Sequence, residues 1–238
     1  MLHPWWSAVA VAVGWRLAVF AAAFGLPPLA PAAFPDLGAL CVNLVACLVP
    51  LAVVARLGWW RMPWLVTVLP RRWWPLAPLA LLYAARLVFG WGLDLGETVG
   101  TAAFVVVAAA SEELYSRGVV QELLRAVRPL WRAVAVGLLF GLGHVLSGIV
   151  FGRELDYLAF QVPHAAVQGF ALAAIRMHVV SIWPLVLLHA ESNLLVLAAP
   201  PGAVPDGWEA FQLLVMLITG AVLVRRCERG VPGLSRAR

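Results

Sequence analysis

The chain has 238 residues, of which 63% are hydrophobic and 12% are charged, and its mean hydropathy is +0.91. Soluble globular domains carry roughly 25% charged residues, so this composition excludes a water-soluble domain and predicts a polytopic membrane protein. The net charge of +5 reflects 17 arginines without a lysine, placed in short loops between apolar segments. The positive-inside rule explains this placement, so no nucleic-acid partner is predicted.

Eight apolar segments follow one another along the chain, and each approaches the roughly 20 residues that a helix needs to cross the hydrocarbon layer. They predict an all-α bundle of about eight transmembrane helices, at residues 6–28, 37–57, 74–93, 98–119, 130–150, 157–176, 180–199 and 208–224. Arg16 lies inside the first segment, where it requires snorkelling or a partner. Between the second and third segments, Gly58–Pro75 interleaves tryptophan with arginine, which is typical of a segment in the headgroup region.

The loops alternate in charge along the chain. Loops after the second, fourth, sixth and eighth segments carry arginines, and the others carry mainly aspartate and glutamate. Loops rich in arginine stay in the cytoplasm. We therefore expect a multi-pass protein of the cell membrane with both termini in the cytoplasm.

Three of the segments carry ionisable or amide side chains at overlapping depths. At a rise of about 1.5 Å per residue, Glu112 and Glu113 lie roughly 20 Å from the cytoplasmic end of their helix. On the same rise His144 lies roughly 18 Å, and His189 roughly 12 Å, from the cytoplasmic ends of their own helices. Charged groups are costly in lipid, which makes them candidates for function. The sequence thus predicts one shared site, formed by Glu112, Glu113, Arg117, His144, His189 and Asn193.

Helical spacing divides the first cluster. Glu113 and Arg117 are four residues apart, so they share a helix face and can pair. Glu112 lies about 100° around the helix and is left for partners on other helices. The Glu113–Arg117 pair could be structural or take part in catalysis, and His144 and His189 could be buried bridging histidines. The coincidence in depth favours function for both histidines.

These residue types suit hydrolysis by an activated water. A carboxylate and an imidazole that converge on one water can act as general base and acid, and histidine and asparagine can donate to a developing oxyanion. Glu112, His144 and His189 could instead hold a divalent metal such as zinc. The zinc-protease pattern HExxH is absent.

Three motifs resemble one known family. EExxxR, FxxxH and HxxxN, carried by Glu112–Arg117, Phe140–His144 and His189–Asn193, are similar to those of the CAAX-protease and bacteriocin-processing (CPBP, or Abi) family. The resemblance implies a glutamate-dependent intramembrane endopeptidase with a four-helix catalytic core at residues 98–199. Residues 1–97 then form N-terminal membrane helices with the interfacial segment, and residues 200–238 form the last helix and a basic tail.

The resemblance also implies roles for the site residues. Glu112 and His144 would activate the water, His189 and Asn193 would stabilise the oxyanion, and Glu113 with Arg117 would order the site. The expected partners are the lipid bilayer and a membrane-associated protein or peptide, cut at a C-terminal tag, a CAAX-like end or a peptide precursor.

Two other functions remain open from the sequence. One is a proton-coupled transporter that uses His164 with the glutamates, and the other is a catalytically silent immunity or scaffold protein of the same fold. No motif of the family includes His164, for which we expect a helix-bridging role as the alternative to transport, and the sequence assigns no role to Glu191.

Overall fold

A computed structural model describes residues 3–31, 34–70 and 72–229. Position 71 of the interfacial segment and the basic tail after Arg229 lie outside these ranges. Every regular element in the described ranges is helical, which confirms the all-α polytopic bundle. The apolar helices are α1 (Pro4–Gly25), α2 (Leu37–Leu57), α3 (Ala77–Phe89), α4 (Leu95–Leu123), α5 (Pro129–Val150), α6 (Leu155–Val179), α7 (Trp183–Ala198) and α8 (Trp208–Arg229).

The eight helices correspond to the eight predicted segments, but they differ in length. Six are long and apolar enough to cross a membrane, whereas α3 and α7 are shorter. The last turn of α3, Ala85–Phe89, tightens to a 3₁₀ helix. The short α7 nevertheless carries His189 and Asn193. The protein is therefore a multi-pass membrane protein in which one helix of the site is shorter than a full span.

Glycines bring α5 directly against α6. A Cβ atom added to Gly137 would lie 2.6 Å from the carbonyl oxygen of Ala166, and one added to Gly141 would lie 2.7 Å from the Cβ atom of Ala166. Neither glycine can carry a side chain without moving the two backbones apart. Small residues allow such close approach in membrane bundles, and here they fix the helix that bears Phe140 and His144.

The start of α4 is fixed by a capping box. The Asp94 carboxylate accepts from the Glu97 backbone N–H at 2.8 Å, and the Glu97 carboxylate accepts from the Asp94 N–H at 3.0 Å. Two backbone donors that the helix leaves unpaired are thereby satisfied. This end of α4 is the one farther from the polar cluster.

The interfacial segment packs into the bundle at Trp64. Trp60 and Trp73 are 51% and 63% exposed, as expected of headgroup anchors, but Trp64 is only 1% exposed. Its ring lies against Gly118, where an added Cβ would come within 2.7 Å of the ring. Its carbonyl accepts from the Ile182 N–H at 3.1 Å. Trp64 therefore packs against the helix that carries the carboxylates.

Candidate active site

The helix that carries both glutamates changes its winding at the site. Leu95–Glu113 is α-helical, Leu114–Val120 forms a π-helical segment, and Gln121–Leu123 returns to an α-helix. All seven residues of the π segment are buried. Short π segments inside α-helices are rare and are frequent at functional sites. The wider turn begins directly after Glu113.

Glu113 is the buried centre of the cluster. Its side chain is 0% exposed, and its Oε1 accepts from Nη1 of Arg117 at 2.8 Å and from Nδ1 of His189 at 2.8 Å. The same Arg117 nitrogen donates to Ser116 Oγ at 2.8 Å. A buried carboxylate needs this compensation. Glu113 thus pairs within its own helix, as the spacing predicts, and also fixes the ring of His189 on α7.

Glu112 lies on the other side of His189. Its Oε2 is 3.6 Å from His189 Nε2, which is longer than a hydrogen bond, and its side chain is 17% exposed. The Glu112 carboxylate therefore keeps its capacity to accept from a further donor such as water. One imidazole lies between two carboxylates, of which one is closed off and the other is accessible.

Phe140 is the platform around which the polar groups are arranged. Its ring centroid is 5.1 Å from that of His144 and 5.9 Å from that of His189, with Arg117 Cζ 4.4 Å above it. The His144 Nδ1–H donates to the Phe140 carbonyl at 3.0 Å. A carbonyl can only accept, so the lone pair of a neutral His144 ring is on Nε2. That nitrogen is free to bind water or substrate.

Asn193 lies one turn beyond His189 on α7 and is partly buried. It takes no part in the hydrogen bonds that join Arg117, Glu113 and His189. The structure thus brings Glu112, Glu113, Arg117 and His189 into one cluster, with His144 across the Phe140 ring and Asn193 at its edge.

The first helix contributes residues that the motifs do not identify. Arg16 is 6% exposed, donates from Nη1 to Ser147 Oγ at 2.8 Å, and packs its guanidinium against Gly143. Trp15 stacks on Tyr115 at 4.2 Å and donates to Ser111 Oγ at 3.0 Å. The sequence marks Arg16 as an intramembrane charge in need of a partner, but it does not show that the partner is the helix of His144.

His164 lies in a different polar group. Its Nε2 is 3.9 Å from Glu209 Oε2, and the other oxygen of Glu209 pairs with Arg86 Nη1 at 2.9 Å. Glu209 is in the first turn of α8. His164 therefore bridges α6 towards α8. The transporter hypothesis would require His164 to join Glu112 and Glu113, and it does not.

Glu191 also lies away from the cluster. It lines a cavity of about 430 Å³ whose other walls are almost entirely apolar, among them Trp73, Trp183 and Leu187. The cavity lies between α3, α7 and the interfacial segment.

The donor set does not fit a metal ion in this arrangement. Among the described residues, no three histidine, cysteine, aspartate or glutamate side chains are grouped so that they could hold one. The proposed ligands Glu112, His144 and His189 do not form such a group.

Comparison with known families bears on this cluster. Residues 94–195 match the model of the family described as type II CAAX prenyl endopeptidase Rce1-like. The resemblance to the CAAX proteases is confirmed. The match covers α4 to α7 almost entirely, includes all six candidate site residues, and spans less than half of the 238 residues. No curated protein matches the chain. The Rce1-like segment supports a CAAX-type intramembrane endopeptidase in general terms.

Proposed function

We propose that the protein is an endopeptidase that hydrolyses a peptide bond at or within the membrane, through a water that Glu112 and His144 activate. The observation that carries this proposal is the row Arg117–Glu113–His189–Glu112, with contacts of 2.8, 2.8 and 3.6 Å, inside a segment similar to CAAX endopeptidases. Three of the four groups are buried and mutually compensated. Glu112 is the partly exposed carboxylate beside them, whereas Oε2 of Glu113, which also has no hydrogen-bond partner among the described residues, is buried.

Glu112 is the general base in this scheme. It takes a proton from the water as the water oxygen attacks the carbonyl carbon of the substrate. Its partial exposure and lack of a close partner support this role, because a general base must reach the proton that it removes. The lone pair on Nε2 of His144 accepts a hydrogen bond from the second hydrogen of the water.

His189 and Asn193 stabilise the oxyanion that forms on the carbonyl oxygen. His189 already donates from Nδ1 to Glu113, so it needs a proton on Nε2 to donate to the oxyanion. In this scheme His189 carries that proton before the reaction begins, between the two carboxylates, and keeps it throughout, so the proton that Glu112 takes from the water remains for the leaving nitrogen. Donors fixed before the reaction stabilise developing charge efficiently, and the Glu113–Arg117 pair fixes the ring. The proton on Glu112 then passes to the leaving nitrogen when the bond breaks.

The substrate is a membrane-associated protein or peptide, cut close to its C-terminus or within a precursor. We also propose that the protein lies in the cell membrane with both termini in the cytoplasm, because the arginine-bearing loops then face the cytoplasm.

Cleavage of co-expressed membrane-anchored candidates tests the proposal. Mass spectrometry of their C-termini is compared between the wild type, Glu112→Gln and His164→Gln, which is a matched change of a membrane-embedded ionisable residue outside the cluster. We expect Glu112→Gln to abolish truncation and His164→Gln to retain it. Equal truncation in the wild type and Glu112→Gln would rule out the assignment of Glu112.

A further inference from the structure

A second cavity, with a mainly polar lining, lies on the far side of Arg117. Its volume is about 200 Å³, and it lies between the ends of α4, α5, α6 and α8 at one end of the bundle. This volume exceeds the roughly 30 Å³ that one water occupies in the liquid. Three arginines, Arg117, Arg132 and Arg176, line the cavity. Gln121, Glu122 and Cys227 also contribute to its walls.

Buried donors of these arginines lack partners among the described residues. Arg117 is 0% exposed, and its Nε and Nη2 make no hydrogen bond, although Nη1 is bonded to Glu113 and Ser116. The Nε atoms of Arg132 and Arg176 are also buried and without partners. An unsatisfied buried donor costs about 1–3 kcal/mol, and more if it is charged. Several such donors around one cavity indicate a ligand that accepts hydrogen bonds.

The cavity has an excess of positive charge. Glu122 is its only acidic lining residue, and the Glu122 carboxylate accepts from Arg125 at 3.3 Å. Arg132 satisfies Nη1 with the backbone carbonyl of Arg125, which supplies no counter-charge. The single Glu122 carboxylate cannot neutralise both Arg132 and Arg176.

We infer that this cavity binds a phosphate-class anion, either the phosphodiester of an anionic lipid or a free phosphate. Guanidinium groups match phosphate oxygens through paired N–H donors. The cavity lies at the arginine-bearing end of the bundle, and basic pockets between membrane helices on the cytoplasmic side bind anionic headgroups. The bound anion satisfies Arg117 on the face opposite to Glu113, so this site extends beyond the catalytic cluster while it shares one residue with it.

Direct binding separates the two sources of phosphate. The full-length protein is placed in phosphatidylcholine nanodiscs, and binding of radiolabelled orthophosphate is measured by equilibrium dialysis. In the second arm the nanodiscs contain phosphatidylglycerol, and the lipid retained after extraction into detergent is counted by native mass spectrometry. Arg176→Gln is compared with Arg225→Gln. Arg225 is an exposed arginine on α8, at the same end of the bundle as Arg176, and it does not line the cavity.

We expect Arg176→Gln to weaken binding at least about tenfold, the equivalent of about 1.4 kcal/mol, in the arm that holds the true ligand. Arg225→Gln should bind as the wild type does. Binding in neither arm means that the cavity holds water alone, and an equal loss in both variants means that only the overall charge matters. Either result would overturn the inference.

Cys227 supplies a measurement on the wild type, in case Arg176→Gln does not fold. Its thiol lines the cavity, so a bound anion should slow its reaction with neutral methyl methanethiosulfonate several-fold. Peptide mapping distinguishes Cys227 from Cys41 and Cys47 on α2, which serve as internal controls. An unchanged Cys227 rate in the presence of both orthophosphate and phosphatidylglycerol counts against the site.

Discussion

Arg117→Ala and Glu112→Gln should fail in different ways. Arg117→Ala removes the pair with Glu113 at 2.8 Å, the bond to Ser116, and the cation above Phe140 at 4.4 Å. It leaves the Glu113 carboxylate buried without its counter-charge. Loss of one partner of a buried ion pair costs about 3–5 kcal/mol. For a chain of this length each kcal/mol lowers the unfolding temperature by roughly 2–4 °C.

Glu112→Gln has nearly the same shape, and the carboxylate that it replaces makes no hydrogen bond to His189 across 3.6 Å. Its stability should stay within about 0.5 kcal/mol of the wild type. Its activity should fall about 10²–10⁴-fold, because general-base catalysis contributes on that scale.

Thermal unfolding followed by tryptophan fluorescence, together with the C-terminal truncation assay, checks both variants. Equal unfolding temperatures for the two, or wild-type cleavage by Glu112→Gln, would refute the division of the glutamates into one structural and one reactive group.

Three further predictions follow from the geometry. Gly143→Ala places a methyl group where the Arg16 guanidinium lies. The flexible end of Arg16 must then move away from Ser147, so we expect reduced cleavage with a small loss of stability, whereas Gly25→Ala, with open space around it, should change neither. Phe140→Leu removes the ring that contacts both histidines. Cleavage should therefore fall by more than the loss of folded protein, followed by thermal unfolding, accounts for; a loss of cleavage that the loss of folded protein fully explains would mean that Phe140 only packs. Elemental mass spectrometry should find no stoichiometric zinc in the wild type, and zinc that is lost in His189→Ala would contradict the metal-free scheme.

The main features of the fold and the site follow from local patterns. Hydropathy places the eight helices, and the four-residue spacing of Glu113 and Arg117 predicts their pair, because both signals depend on neighbours within one helix. The depth argument joins Glu113 to His189 across 76 residues, since membrane thickness gives different helices a common scale. The catalytic roles and the domain division stay predictions.

Other features depend on contacts that no local pattern records. No local pattern in the sequence of Leu114–Val120 predicts its π-helical winding. Arg16 finds Ser147 at a separation of 131 residues, and Trp64 is buried because Gly118 leaves room for its ring. Each of these requires knowledge of which helices are adjacent, which periodicity within one helix does not supply.

The contacts of α1 bear on where the working unit of this protein ends. Similarity to a family begins at residue 94, yet Trp15 donates to Ser111 directly before the glutamates, and Arg16 donates to the helix of His144. A boundary drawn from similarity therefore cuts through the packing around the site. The core expressed alone would expose the surface that α1 covers and would lose a cation beside His144. The N-terminal helix is consequently part of the unit that holds Ser111 and Ser147 in place, although it lies outside the matched residues.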